Sequence, residues 1–344
     1  MFEKLAGNSD VKKTLRRLIS NSRVPNSLIF SGIEGAGKKQ FAIELAKALL
    51  CKSPIDGEAC ETCSACMRVD VIEFPKSDDK DGHKKVILSE HPDFGMVVPY
   101  NRNILIDAIR SLDAEARFRP FEAPARVFII EDADKMNDAA SNALLKMLEE
   151  PAPTTHLFLI TSRVDSLLPT IRSRCQILRF APVATAEIEG FLEQTNKFLP
   201  EEVLLAARIA EGSIGRAMRT DIEKFRQIRE RMAAVLAAAL VKNDKAELLR
   251  IGESINDAKH KADFEDHMNV LKVLLHDVWL LRIGSDRMPI VNVDILSELE
   301  EIARATNISS LISSIEEIEK LQGNLIVNVN RKIATDGLFM ELAA

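Results

Sequence analysis

Aromatic rings and positive charge are what this chain has least of. One tryptophan and one tyrosine in 344 residues are too few for the successive stacking platforms that hold single-stranded nucleic acid. Lysine and arginine number 46 against 52 aspartates and glutamates, a formal net charge of −6. No global basic field draws the chain to nucleic acid, so any such contact has to be local or shared with partners. No apolar run approaches the length that spans a bilayer, and Met1-Phe2-Glu3-Lys4 opens no secretory signal. A cytoplasmic protein with no membrane attachment is the expectation. Internal repeats and low-complexity tracts are also missing. What is present is an ordinary globular balance, 46% hydrophobic and 28% charged, in a chain long enough for two or three cores.

The most informative segment is Ser31-Gly32-Ile33-Glu34-Gly35-Ala36-Gly37-Lys38-Lys39. It follows the apolar run Leu28-Ile29-Phe30, which reads as a buried strand. It opens residues 38–50, where Phe41, Ile43, Leu45, Ala46, Leu49 and Leu50 have helical spacing. Strand, glycine loop and helix form the context of a phosphate-binding loop. Gly32, Gly35 and Gly37 let backbone N–H groups curl around a phosphate at the helix N-terminus, and Lys38 neutralises the outer phosphates. The next residue ordinarily carries a hydroxyl that holds Mg²⁺. Here it is Lys39, an ammonium that repels the metal. The expectation is a degenerate nucleotide site in which binding of ATP and Mg²⁺ is doubtful.

Around this loop, residues 5–20 read as an amphipathic helix, residues 104–116 and 137–150 as further helices, and residues 127–130, 157–161 and 177–180 as strands. Residues 70–103, with the charged run 76–85 and then His91-Pro92-Asp93, read as irregular, an exposed hairpin or loop. Apolar strands alternating with helices imply a parallel sheet covered on both sides. Past Pro182 only helical patterns remain: short ones over 185–219 around Glu211-Gly212-Ser213-Ile214-Gly215, then longer ones near 222–241, 244–256, 264–283 and 292–305, and a final pair from Ile308 onward. Three domains are expected: an α/β nucleotide-type domain at 1–181, a small helical lid at 182–221 and an all-α domain at 222–344.

Four of the five cysteines, Cys51, Cys60, Cys63 and Cys66, form the pattern C-x8-C-x2-C-x2-C within an insertion at 51–66. This spacing lets four thiolates converge on one tetrahedral ion with no position left for water, so a structural Zn²⁺ is expected. Disulfides would need an oxidising compartment, and a redox pair would not need four cysteines. A zinc ribbon that reads DNA is a rival, but Glu58, Glu61 and the single nearby Arg68 give no positive docking surface.

Two further segments carry chemistry. The strand 127–130 ends in Glu131-Asp132-Ala133-Asp134, where an ATPase of this class has Asp then Glu to hold the metal's water shell and polarise the attacking water. The inverted order puts both carboxylates at the wrong reach. The plainer alternative is that these acids cap the following helix, a role open to Asp134 and Asn137. Pro169-Thr170-Ile171-Arg172-Ser173-Arg174-Cys175 places two arginines about a serine just before a strand. A planar guanidinium suits a transferring phosphate and can be lent to a neighbouring subunit. The alternative is a surface salt bridge.

Together these segments resemble the delta-prime type of bacterial replicative clamp-loader subunit, within the AAA+ family. The resemblance covers residues 1 to about 220. It rests on residues 30–39, the four-cysteine module, His91-Pro92-Asp93, residues 130–136, Ser141-Asn142-Ala143-Leu144-Leu145-Lys146 through Glu149-Glu150-Pro151, residues 168–175 and Gly212-Ser213. It implies an AAA+ P-loop domain, a helical lid and a helical collar, with zinc on Cys51, Cys60, Cys63 and Cys66. It implies that Arg174 is an arginine finger acting in trans on the ATP site of the adjacent subunit. The implied partners are ATP-hydrolysing tau/gamma-type and delta-type subunits, the sliding clamp and primed DNA, within the DNA polymerase III holoenzyme. Hydrolysing relatives carry Ser or Thr where Lys39 stands, Asp-Glu where Glu131-Asp132 stands, and an arginine where Gly215 stands, with Arg216 displaced by one residue and so by about 100° on a helix. These departures imply a subunit that completes a partner's site and does not hydrolyse ATP. The alternatives are an active AAA+ ATPase, such as a motor or helicase loader, and a zinc-dependent DNA-binding module.

Overall fold

The computed structural model describes residues 2–257, 263–284, 290–324 and 331–343. The chain divides into two compact units, Met1–Arg219 and Thr220–Ala344. The segment read as a separate lid, 182–221, falls almost wholly in the first.

The first unit is built on six strands: β1 (Ser27–Ser31), β2 (Ile87–Leu88), β3 (Phe94–Val97), β4 (Arg126–Ile130), β5 (Thr155–Thr161) and β6 (Gln176–Arg179). Their order across the sheet is β2-β3-β4-β5-β1-β6, all parallel except the short edge strand β2. Every residue of β1, β3, β4 and β5 is buried, because helices cover both faces. Successive side chains go to opposite faces. Leu28, Phe30, Val127, Ile129, Phe158 and Ile160 pack with α1 (Ser9–Ser20) and α2 (Lys38–Leu50). Ile29, Phe128, Ile130, Leu157 and Leu159 pack with α4 (Ile106–Ala116) and α5 (Asp138–Glu149). Between α2 and β2 lies the short helix α3 (Ser64–Val69), and α6 (Pro169–Arg172) precedes β6.

Two elements differ from the sequence reading. The stretch 70–103 contains β2 and β3 and is not simply irregular. β3 is only four residues and carries Gly95, which weakens its strand signal, yet its place beside β4 buries it fully. The first helix starts at Ser9, not at residue 5, because Gly7 and Asn8 both take positive φ (70° and 53°) and cannot begin a right-handed turn. The fold class itself, a parallel α/β sheet with helices on both faces followed by an all-α unit, is as expected.

After β6 come α7 (Thr185–Thr195), α8 (Pro200–Ile209) and α9 (Ile214–Arg219), joined through buried Ile188, Leu192, Val203, Ala206 and Ala217. The second unit holds α10 (Ile222–Leu236), continued by a π-helical turn at Ala237–Lys242, then α11 (Lys245–Ile255), α12 (Phe264–Ile283), α13 (Leu296–Ala305), α14 (Ile308–Asn324) and α15 (Arg331–Leu342). Its centre is α12, whose Met268, Leu271, Leu274, Leu275 and Val278 are fully buried. One buried carboxylate pins the chain there: Asp277 accepts from the backbone N–H groups of Val291 and Asn292, both at 2.9 Å, and from Asn292 Nδ2 at 2.8 Å.

Candidate functional site

The glycine loop leaves β1 and ends at Gly37, the N-cap of α2, with φ +91°. Gly35, with φ +73°, is where α9 comes closest: a Cβ there would lie 2.2 Å from Ser213 Oγ. The Gly35 carbonyl accepts the Gly215 N–H at 2.9 Å, and Arg219 pairs with Glu34 at 3.5 Å. Gly215, where the resemblance implies an arginine in hydrolysing subunits, is thus bonded by its main chain to the loop, and Arg216 is turned to Glu211.

Lys38 is buried, and its ammonium donates to the carbonyls of Gly32 and Ile33, both at 2.6 Å. Burial lowers its pKa from the ordinary value, with Asp132, Glu34 and Asp134 opposing the shift. Lys39 Nζ lies 2.8 Å from Glu131 Oε2 and 4.9 Å from the Phe74 ring centroid. Asp132, itself in the left-handed region (φ 49°), pairs with Lys135 at 2.8 Å. Each charged group that a triphosphate and its metal would engage is thus held by a protein partner.

Asp134 does not cap α5. Its buried carboxylate accepts from Thr161 Oγ1 at 2.7 Å and from Arg163 Nη2 at 3.0 Å. Burial would raise its pKa, but these donors hold it below the usual value. Asn137 does cap α5, its Oδ1 accepting from the Ala140 N–H at 2.9 Å. Gly215 is marked in the sequence as the place where relatives carry an arginine, whereas Phe74 and Thr161 are contacts of this site that the sequence reading missed. Of these two, Thr161 has a local sign in the sequence, as a hydroxyl closing an apolar run.

Arg174 sits elsewhere. Its Nη1 donates to the Thr170 carbonyl at 3.1 Å and its Nη2 to Glu149 Oε1 at 3.0 Å. The β1–β6 register sets its place: Leu28 pairs with Gln176 and Ser31 with Arg179. Arg174 precedes the start of β6, whereas the glycine loop follows the end of β1. The two lie at opposite ends of these neighbouring parallel strands, separated by roughly 15 Å of strand, so the guanidinium does not reach the chain's own glycine loop.

The four cysteines do converge. Their Sγ atoms all lie within 4.8 Å of one another, with Cys51–Cys60 at 3.6 Å, Cys51–Cys63 at 3.9 Å and Cys63–Cys66 at 3.5 Å. Zinc–sulfur bonds of about 2.3 Å in a tetrahedron place sulfurs about 3.8 Å apart, so the donor set fits such an ion. Backbone N–H groups of Ser53 and Cys60 donate to Cys51 Sγ, both at 3.4 Å, and that of Cys63 to Cys60 Sγ at 3.3 Å. Burial opposes ionisation of Cys63, but backbone N–H donors and the neighbouring thiols bring its pKa to about 6. Burial pushes Cys66 up. The fifth cysteine, Cys175, stands apart, raised to about 12 by burial. The module is tied to the first helix through Glu58, which accepts from Arg16 Nε at 2.5 Å.

A family model described as DNA polymerase III, delta subunit, matches residues 7–184, and one described as DNA polymerase III, delta subunit, C terminal, matches residues 223–342. The DNA polymerase III subunit delta' of Bacillus subtilis is 27% identical over 322 residues, 93% of this chain and 91% of that protein. Its counterpart in Escherichia coli is 26% identical over 321 residues, 92% of this chain and 88% of that protein. The chain belongs to the DNA polymerase III delta-prime subunit family. Kinship extends to a further DNA polymerase III subunit: the subunit tau of Bacillus subtilis is 29% identical over 220 residues, 62% of this chain and 34% of that protein. Among the described residues no helix is long and apolar enough to cross a membrane.

Proposed function

We propose that the chain is a clamp-loader subunit that does not hydrolyse ATP and lends Arg174 to the ATP site of an adjacent tau/gamma-type subunit. With those and a delta-type subunit it helps open the sliding clamp and place it on primed DNA. The observation that carries the reading is the separation of two halves of one chemistry. The chain's own glycine loop is occupied by its own groups, through Lys38 on two carbonyls, Lys39 on Glu131 and Gly215 on Gly35. Its exposed arginine lies at the opposite end of the strands, where another molecule's phosphate could meet it.

A guanidinium there would stabilise charge developing on the transferred phosphoryl group, an effect worth ~10³ or more in rate at the site it serves. Cys51, Cys60, Cys63 and Cys66 would hold zinc in a structural role, since four thiolates leave no position for a reacting water. Residues 222–344 would form the collar, and 182–221 a lid fixed to the glycine loop.

Arg174→Ala tests the reading in a reconstituted loader. Turnover at the completed site should collapse while assembly survives; unchanged turnover removes the assignment. The rival reading of an autonomous ATPase requires Mg²⁺-dependent hydrolysis by the isolated chain that disappears with Lys38→Ala.

A further inference from the structure

We infer that Glu149 is a positioning residue for Arg174, holding the guanidinium ready for a phosphate on the neighbouring subunit; this rests on the reading of Arg174 as a finger. Glu149 is the last residue of α5, where the helix dipole is negative and a carboxylate is disfavoured. Glu150 follows it, so two acids stand at the helix end that favours cations. The helix gains nothing from Glu149. Its Oε1 instead accepts Arg174 Nη2 at 3.0 Å, across 25 residues of sequence.

A second anchor comes from the arginine's own turn. Nη1 donates to the Thr170 carbonyl at 3.1 Å, and Ser173 Oγ donates to the same oxygen at 3.0 Å. The two anchors lie on different nitrogens, so the planar fork is fixed in rotation as well as in position. Of its five N–H donors, three have no partner among the described residues. A free arginine would have to freeze several rotors as it met the phosphate. An anchored one meets it with that entropy already removed, which raises the rate of the chemical step without tightening ground-state binding. Both side chains are partly exposed (36% for Arg174, 52% for Glu149), so replacing Glu149 leaves no buried charge behind.

The experiment uses the loader reconstituted from the full chain and its ATP-hydrolysing partners, carrying Glu149→Ala, Glu149→Gln, Arg174→Ala or Glu149→Ala with Arg174→Ala. Complex assembly is followed by size exclusion alongside kcat and the KM for ATP. Glu149→Ala should lower kcat about 3- to 10-fold with KM and assembly unchanged. Glu149→Gln, which keeps an acceptor for Nη2, should restore part of the loss. The double variant should be no slower than Arg174→Ala alone. If Arg174→Ala is impaired but Glu149→Ala matches the unmodified loader, or turns over faster, the positioning role is overturned and the finger stands. Equal losses from Glu149→Ala with and without Arg174 overturn it too, since the two would then act independently. If Arg174→Ala itself is silent, the finger reading falls and this inference with it.

Discussion

The ammonium of Lys39 and the carboxylate of Glu131 meet at 2.8 Å across 92 residues of sequence, one at the start of α2 and the other just past the end of β4. In a competent nucleotide site those two places hold a hydroxyl and an acid on either side of Mg²⁺. Here the protein supplies the cation itself. Side-chain exposures of 35% and 27% make the pair worth little in stability, about 0–1 kcal/mol. Its consequence is chemical, since the acid is neutralised before any metal arrives. Replacing the ammonium alone should not create an enzyme, because Lys38 stays folded onto Gly32 and Ile33 and Gly35 stays bonded to Gly215. Lys39→Thr in the isolated chain is expected to show no Mg²⁺-dependent phosphate release. Turnover typical of a competent ATPase would show that Lys39 was the sole defect.

Chelating the zinc proposed for the four thiolates should loosen more than residues 51–66. Glu58 of the module accepts from the Phe2 N–H at 3.3 Å as well as from Arg16, so the module helps fix the chain's start and the first helix against α2. Chelation is expected to release about one zinc per chain, in line with a four-thiolate structural site. It should lower the melting temperature, and Cys60→Ser should reproduce the loss. Purified protein lacking zinc yet melting at the same temperature would contradict this.

Asp93 should be among the most sensitive positions of the first unit. Fully buried, it accepts the backbone N–H groups of Phe121, Glu122 and Ala123 at 2.8, 3.0 and 3.1 Å and faces Arg126, also fully buried, at 3.6 Å. Asp93→Ala strands three N–H groups and part of a buried charge, so a loss of about 3–5 kcal/mol is expected, measured by denaturant titration. A change below about 1 kcal/mol would mean that the loop after α4 finds other partners.

Acid should weaken the same unit through its histidines. Burial lowers the pKa of both His91 and His156 from 6.5, so the unfolded chain takes up protons that the folded one refuses. That sign makes stability full above about pH 6.5 and declining as the pH falls below it. His91 gives a structural reason: its Nδ1 accepts the Asp93 N–H at 3.2 Å, which a protonated ring cannot do. The denaturation midpoint is expected to be lower at pH 5.5 than at pH 7.5, and a flat or rising profile would contradict the assignment.

What the sequence by itself determined was chemistry of short reach. The apolar runs Leu28-Ile29-Phe30 and Val127-Phe128-Ile129-Ile130, the missing hydroxyl at Lys39 and the cysteine spacing are all set within a few residues, and the strands and the convergence of the cysteines follow in the structure. Asn137 as a cap was open to inspection for the same reason. Partners across long separations were decided only by the tertiary structure. That Lys39 finds Glu131, that Gly215 and not Arg216 meets the glycine loop, and that Asp134 turns to Thr161 depend on which strands lie side by side. β3 was hidden because a strand of four residues with a glycine earns its burial from its neighbours and not from its own pattern. Arg174 shows the limit most clearly. Its identity and its serine are local facts, but its place at the strand end opposite the glycine loop follows from the parallel register of β1 and β6, which no spacing along the chain contains.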